Sequence, residues 1–291
     1  MTAPRLAPLA MLGALGLTGS ALATDSPCGS ESSAGLCWRR SVPSPAAYLR
    51  PLGFDMGSTD EEALAALVRC KREPLPERCD ETTFASETPV HHEYVAGFWM
   101  SRTEVTVAAY ARCVAIGHCS PPGFEAGAPR FQRPDFPVTF VTFDDAQRYC
   151  AFRGGRLPTE AQFERAARGA ARRQYPWGQR YHSKVSNHGR LGVDTTDPSD
   201  GFAELAPVGS FPDGGSPEGI LDLAGNAAEW TADAFTRQYQ SPPTSERAVR
   251  GGSWSSAPPF VRGAARVGKP PETREPTLGF RCVWQSRPVG E

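Results

Sequence analysis

The amino-acid sequence predicts a mixed α+β domain in which loops outweigh regular elements. Three observations carry that expectation. The 291 residues include 29 Gly and 28 Pro, a density of chain breakers that disfavours long helices and helical bundles. Several short segments in the first half carry helix-start chemistry, whereas after Gly169 neither the helical nor the strand period is sustained. Hydrophobic residues make up 40% and charged residues 22% of the chain, which is globular composition with enough apolar side chains for a sizeable core.

The elements follow in chain order. Met1 to Ala23 starts with Arg5, runs through an apolar stretch from Leu6 to Leu17 and ends in Ala21-Leu22-Ala23. A cleavable secretory signal is expected there, with an uncleaved anchor as the rival. The stretch, broken by Thr18 and Ser20, is short for a membrane span. Thr24 and Asp25 follow instead of a cysteine, which argues against a lipid anchor, and no later segment is apolar enough to cross a membrane. Residues 24–52, rich in Ser, Pro and Ala, read as an N-terminal arm, and 53–287 as the folded domain. Phe54 to Ser58 reads as a strand ending in a turn, and Ser58 with Glu61 as a capping box before a short helix that carries Cys70. Val90 to Met100 reads as a strand, and Thr103 to Thr106 as the cap of a helix reaching Cys113. Pro137 to Val141 reads as a strand, Asp144-Asp145-Ala146 as the opening of a helix through Cys150, and Pro158-Thr159-Glu160 as the opening of another through Ala167. The loop-rich remainder must then be held by something other than regular ladders.

Charge and cysteine usage narrow the function classes. With 31 Lys+Arg against 32 Asp+Glu the net charge is −1, without the cationic excess that binding to a phosphate backbone needs, so nucleic acid is not expected as a partner. The eight cysteines all follow Ala23, and an even number in a secreted chain favours disulfides. Three close pairs stand out: Cys28 with Cys37, Cys70 with Cys79, and Cys113 with Cys119. They leave Cys150 and Cys282 as a long-range staple or as two buried free thiols. No CxxC, HxH or HxxxH spacing occurs, so a zinc or redox-active dithiol site is a poor reading. His91 and His92 point to opposite faces of a strand and do not share a metal. Trp177, Trp230 and Trp254 read as core plates in a domain short of ladders.

The ordered blocks FDMGS (54–58), EVT (104–106), FPVTFVTFDDAQRYC (136–150), GRLPTEAQFERAARG (155–169), YPWG (175–178), DGF (200–202), APVGSF (206–211), GILDLAGNAAEW (219–230), VRGGSW (249–254) and GFRC (279–282) resemble the formylglycine-generating enzyme, or sulfatase-modifying factor, superfamily. The resemblance implies an α+β, irregular, C-type-lectin-like fold with low regular secondary-structure content. It also implies a test of function. The family's namesake chemistry holds Cu(I) between two thiolates shortly after the GGS block and uses O2 to oxidise a client sulfatase's cysteine. Soft thiolates select Cu(I). Here the segment from Gly251 to Gly263 has no cysteine and is shortened; Ser256 stands nearest the first missing thiol. A hard hydroxyl cannot replace it, so no catalytic residue and no copper are expected.

Further site residues are implied by the same resemblance. One family disulfide falls on Cys150 and Cys282; another falls on Ala167 and Gly263, where both thiols are missing together. Hard oxygen donors for one or two Ca2+ ions are implied at the side chains of Asp222 and Glu229 with carbonyls of Gly225 and Ala227. A second set comprises Asn187, the carbonyl of His188, Asp200 and the carbonyl of Phe202. The bland alternative is that these polar residues cap turns. From the residues themselves, Trp254, Phe260 and Arg262 are expected to line a remnant cleft as ligand anchors; Arg262, Arg266 and Arg281 could form a polar rim for carboxylate or phosphate, although surface solubilisation is the commoner use. The resulting expectation is a secreted or periplasmic, calcium-binding, noncatalytic domain that binds an unidentified protein or peptide in the envelope or outside. Its rivals are a divergent oxidase or related protein-modifying enzyme, and an assembly scaffold.

Overall fold

A computed structural model describes residues 46–124, 128–192 and 194–288. The expected signal segment and the arm up to residue 45 lie outside these residues. So do Cys28 and Cys37, and the disulfide expected between them is not among the three that the structure describes. The elements are β1 (Ala46–Leu49), β2 (Leu52–Met56), α1 (Asp60–Cys70), β3 (His91–Val95), β4 (Phe98–Ser101), α2 (Val107–Ala115), α3 (Phe143–Phe152), α4 (Glu160–Arg168), β5 (Ala228–Thr236), β6 (Pro243–Arg250), β7 (Arg266–Lys269), β8 (Leu278–Gly279) and β9 (Val283–Trp284). They form three small sheets in the orders β1-β4-β9, β2-β3 and β7-β6-β5-β8. Only the β5–β8 pair is parallel. The folded domain begins earlier than residue 53, because β1 pairs with β4 along Ala46↔Ser101 to Leu49↔Phe98 and buries Leu49.

The helix starts obey capping chemistry. Thr106, Thr142 and Thr159 each accept a hydrogen bond from the backbone N–H three residues on, and Thr142 and Thr159 complete reciprocal boxes with Asp145 and Gln162. For α1 the box shifts by one residue, to Thr59 with Glu62. The Ser58 hydroxyl instead donates to Glu87 at 2.7 Å, and Gly57 at φ +88° takes the turn. The Val90 to Met100 strand is broken at Ala96-Gly97, where any side chain on Gly97 would collide with Tyr48. Pro137 to Val141 is not a strand. It runs as extended chain with one bridge, Thr106↔Pro137, and its Val141 carbonyl accepts from Trp230 Nε1 at 3.1 Å.

The second half does contain a ladder, contrary to the sequence expectation. β5 and β6 pair from Glu229↔Arg250 to Thr236↔Pro243, with register shifts on either side of Ala234. Those irregularities interrupt the alternation of inward and outward side chains, so the period of two is absent from the sequence.

Trp230, fully buried, packs edge-on against Phe143 and joins α2, α3 and β5 in one apolar cluster. Cys150 and Cys282 lie in that cluster and are bonded across a separation of 132 residues. A loop of that length restricts the unfolded chain by about 4 to 5 kcal/mol. Cys70–Cys79 and Cys113–Cys119 are also bonded, and no described cysteine is free. Helix α4 is buried along most of its length with its charges paired. Arg250 donates to Glu160 at 3.0 Å and to Glu164 at 2.6 Å, while Arg168 reaches Glu164 and Glu62, both at 3.0 Å. Arg266 donates to both oxygens of Glu160.

A Cβ added at Gly263 would stand 3.2 Å from Cβ of Ala167, slightly under the Cβ separation of a disulfide, and 2.5 Å from Cγ of Arg168, whose side chain must shift to admit it. The double variant Ala167→Cys, Gly263→Cys is therefore expected to form an intramolecular bridge during oxidative refolding; two alkylatable thiols in the folded variant would refute the geometry. Arg250→Met strips a cation from between Glu160 and Glu164 and is expected to reduce stability by about 3 to 5 kcal/mol in urea unfolding at pH 7. Burial raises the pKa of Glu164, but Arg250 and Arg168 outweigh it and hold the carboxyl below its ordinary 4.5. A lowered folded-state pKa stabilises above the ordinary value and is lost as pH falls through the folded one. The gap between wild type and Arg250→Met should thus narrow below about pH 4.5, and a gap independent of pH would be inconsistent with this pairing.

Candidate functional site

The chain leaving β6 turns sharply at Gly251 and Gly252, at φ +88° and +66°. A Cβ on Gly252 would lie 2.7 Å from the Phe260 carbonyl oxygen, so only glycine fits a positive φ with so close an approach. Beyond the turn, Ser253, Ser255 and Ser256 gather at one wall of a cavity of about 390 Å³. Ser253 N–H donates to Ser256 Oγ at 3.0 Å, and the Ser253 hydroxyl lies 3.1 Å from that of Ser255 and 3.3 Å from that of Ser256. The apolar part of the lining holds Phe84 against Phe260, with ring centroids 5.3 Å apart. Phe260 ends the short turn Pro258–Phe260, whose prolines preset its backbone. Behind Phe84 and Phe260 lie Ala66 and the Cys70–Cys79 bridge. Lys269, paired with Glu275 at 2.8 Å, closes the rim.

No cysteine or histidine is among the residues lining this cavity, and every described cysteine is in a disulfide. The wall that stands where the resemblance places the copper thiolates offers hydroxyls, which donate and accept hydrogen bonds but do not bind a soft ion. Of the three expected anchors, Phe260 lines the cavity. Trp254 is buried at 7% exposure among Phe131, Phe136 and Leu205, with its Nε1 donating to the Pro276 carbonyl at 3.3 Å. Arg262 is turned inward. It donates to both Glu87 oxygens, at 2.5 and 3.0 Å, and its guanidinium lies 4.9 Å from the Phe84 ring centroid. It braces the apolar wall. The expected arginine rim does not exist, because Arg262, Arg266 and Arg281 are all buried and paired, with Glu87, Glu160 and Glu229.

The two loops expected to hold calcium pack on each other and on the cavity. Asn226 N–H donates to the Asn187 carbonyl at 2.8 Å, and Gly189 N–H to the Ser256 carbonyl at 2.9 Å. Among the described residues no group of three or more His, Cys, Asp or Glu side chains is arranged to hold a metal ion, so any cation here would rest on fewer carboxylates with amide and carbonyl oxygens. The 187–202 loop fits such a group. Asn187 is buried, with its Nδ2 donating to the Glu204 carbonyl and to Asn226 Oδ1 while its Oδ1 has no partner. Asp200 accepts from the N–H groups of His188 and Phe202, both at 2.9 Å, and burial raises its pKa. An unpartnered amide oxygen beside a desolvated carboxylate is a donor set that suits a hard cation.

The 222–229 loop is arranged differently. Its carboxylate, Glu229, receives Nε of Arg281 at 2.9 and 2.7 Å and Nη2 at 2.6 Å. Asp222 accepts from Gly209 N–H at 2.6 Å. Buried Glu104, from the EVT block, accepts from Asn226 Nδ2 at 3.1 Å and from Ala227 N–H at 3.4 Å, and its second oxygen has no partner. Burial and then the neighbouring Asp222 push the Glu104 carboxyl well upward. Sequence reasoning assigns no role to Glu104 or Glu87. Each meets its partner across more than a hundred residues of chain, and nothing local marks such a pair.

Comparisons with known proteins agree with this arrangement. Residues 54–286 match the family described as Sulfatase-modifying factor enzyme 1-like domain. The inactive C-alpha-formylglycine-generating enzyme 2 of Bos taurus is 40% identical over 168 residues, 55% of this chain and 54% of that protein. The formylglycine-generating enzyme of Bos taurus is 36% identical over 175 residues, 54% and 46% of the two chains. The chain thus spans about half the length of the curated relatives it matches. Among solved structures, PvdO from Pseudomonas aeruginosa superposes with a TM-score of 0.65 at 26% identity, covering 82% of this chain and 93% of that one. From β2 to β9 this chain belongs to the sulfatase-modifying factor family and has its formylglycine-generating-enzyme-like fold.

Proposed function

We propose that this chain is a secreted or periplasmic, noncatalytic member of the family, carrying calcium in its 187–202 loop and binding a protein or peptide segment in the serine-lined cavity. One observation carries the noncatalytic reading. Hydroxyls of Ser253, Ser255 and Ser256 line the wall where the resemblance places the copper thiolates, and every described cysteine is already bonded. The 40% identity to a relative named inactive supports the same reading. The disulfides, together with the apolar N-terminal sequence, favour an oxidising compartment. The cavity joins an apolar Phe84–Phe260 wall to hydroxyls and a Lys269–Glu275 pair, chemistry that suits an apolar side chain flanked by peptide groups. Calcium, when bound, would supply a hard positive centre for Asn187 and Asp200 and hold the neighbouring Gly189 against Ser256.

Copper loading with reductant is expected to give no oxygen uptake with a sulfatase-type cysteine peptide, and Ser256→Cys is expected to give none either, because one sulfur does not make a two-thiolate site. Formylglycine appearing in the peptide at an enzymatic rate, dependent on this protein, would refute the noncatalytic reading. Screening envelope-derived peptides on an immobilised array identifies the ligand, and Phe260→Ala should then weaken its binding by roughly tenfold or more. Arg262→Ala should act mainly on stability, through the Glu87 charge it leaves unpaired. If Phe260→Ala left the affinity of every captured peptide unchanged, the cavity would not be the binding surface.

A further inference from the structure

The family resemblance places a second calcium between Asp222 and Glu229, and the residues present do not fit one. Arg281 is fully buried, and its five N–H groups are all spent on oxygens that converge on one point. Nε and Nη2 engage both oxygens of Glu229. Nη2 also donates to the carbonyls of Leu221 at 3.0 Å and Asp222 at 3.2 Å, and Nη1 to those of Ser101 and Arg102, both at 3.3 Å. The loop is wound to deliver those carbonyls, with Asp222 at φ +56°, Gly225 at +92° and Asn226 at +60°. A carboxylate and four carbonyls around one positive centre resemble the oxygen shell of a hard cation. Here the centre is a guanidinium, which stays charged at any physiological pH. A calcium ion using Glu229 would have to take from Arg281 the one carboxylate it hydrogen-bonds, and would set a second positive charge against a buried guanidinium left with only the unbonded charges of Glu104 and Asp222 nearby, which is strongly unfavourable.

We infer that the guanidinium of Arg281 is the resident cation of the 221–229 loop, so that this loop keeps its shape without metal. The inference concerns a different loop from the 187–202 calcium reading, although the experiment that separates them rests on both. The full chain is dialysed against calcium, its bound metal is counted by elemental analysis, and its melting temperature is compared in calcium and in chelator. One ion per chain is expected. Asp200→Asn should lose both the ion and the calcium-dependent rise in melting temperature. Glu229→Gln should keep the ion and the rise, while melting lower by the same amount in calcium and in chelator. If that variant does not fold, Asp222→Asn replaces it, because Asp222 hydrogen-bonds Arg281 through its carbonyl, which the substitution keeps, and again the calcium count should not change. Two ions in the wild type, or loss of an ion in Glu229→Gln or Asp222→Asn, would overturn the inference. No ion in the wild type would overturn the 187–202 reading and support the assignment of Arg281.

Discussion

The structure depends first on the charges of helix α4. Glu160, Glu164, Arg165 and Arg168 are all buried on this short helix, a placement that is tolerable only if each charge finds a partner. The partners are drawn from distant parts of the chain: Arg250 from β6, Arg266 from β7 and Glu62 from α1. Each contact fixes an element relative to α4. Glu164 also receives the N–H of Gly57 at 2.7 Å, which sets the turn before α1. From that turn Ser58 donates to Glu87, and Glu87 pairs with Arg262. A continuous path of buried polar contacts therefore leads from α4 to the apolar wall of the cavity. A domain with little regular ladder needs such a network, because apolar burial alone does not specify how irregular loops pack.

What the sequence makes legible, and what it hides, follows from range. Helix starts are decided within four residues; Thr106 and Thr159 cap where their patterns place them, while α3 is capped by Thr142, just ahead of the expected Asp144 opening. The displaced cap of α1 marks the limit of that logic. Ser58 with Glu61 and Thr59 with Glu62 are equally good boxes, and the choice is made by Glu87, which captures the Ser58 hydroxyl from 29 residues away. The β5–β6 ladder is hidden because its register shifts at Ala234 erase the alternation. Arg262 misleads for a similar reason. An arginine beside a loop of serines reads as an exposed anchor, until the fold brings Glu87 to it across a separation of 175 residues.

The family blocks are more legible than any single element, because each encodes a local turn that the fold reuses. The blocks also keep the frame with fewer cross-links than the resemblance implies. Cys150–Cys282 keeps α3 tied to the segment before β9. At the position implied for a second bridge, Ala167 and Gly263 lie in contact with neither sulfur present. Packing has filled the space, since any Cβ on Gly263 would press on Arg168, whose own contacts run to Gly57 and Glu62. No staple is needed here because the ionic network of α4 already holds both sides, Arg250 donating to Glu164 and to the Gly263 carbonyl at 2.8 Å.

The cavity raises the same question of which bond does the holding. Thiolates bind a soft metal strongly and accept hydrogen bonds poorly; hydroxyls do the reverse. The Ser253 hydroxyl, within hydrogen-bond distance of those of Ser255 and Ser256, belongs to a group whose donors and acceptors can be re-aimed by rotation about Cβ–Oγ, and such a group can adapt to peptide N–H and C=O alike. In the same cavity, the Phe84–Phe260 pair cannot adapt. Phe84 is held by the Arg262 guanidinium over its ring, and both rings are packed on the cluster containing Cys70–Cys79. On the proposed reading, an adaptable polar group and a rigid apolar one in the same cavity would separate the two requirements of recognition, the apolar part selecting shape while the hydroxyls satisfy whichever backbone groups that shape presents. Redox chemistry would need the opposite arrangement, with the reactive wall preorganised and fixed.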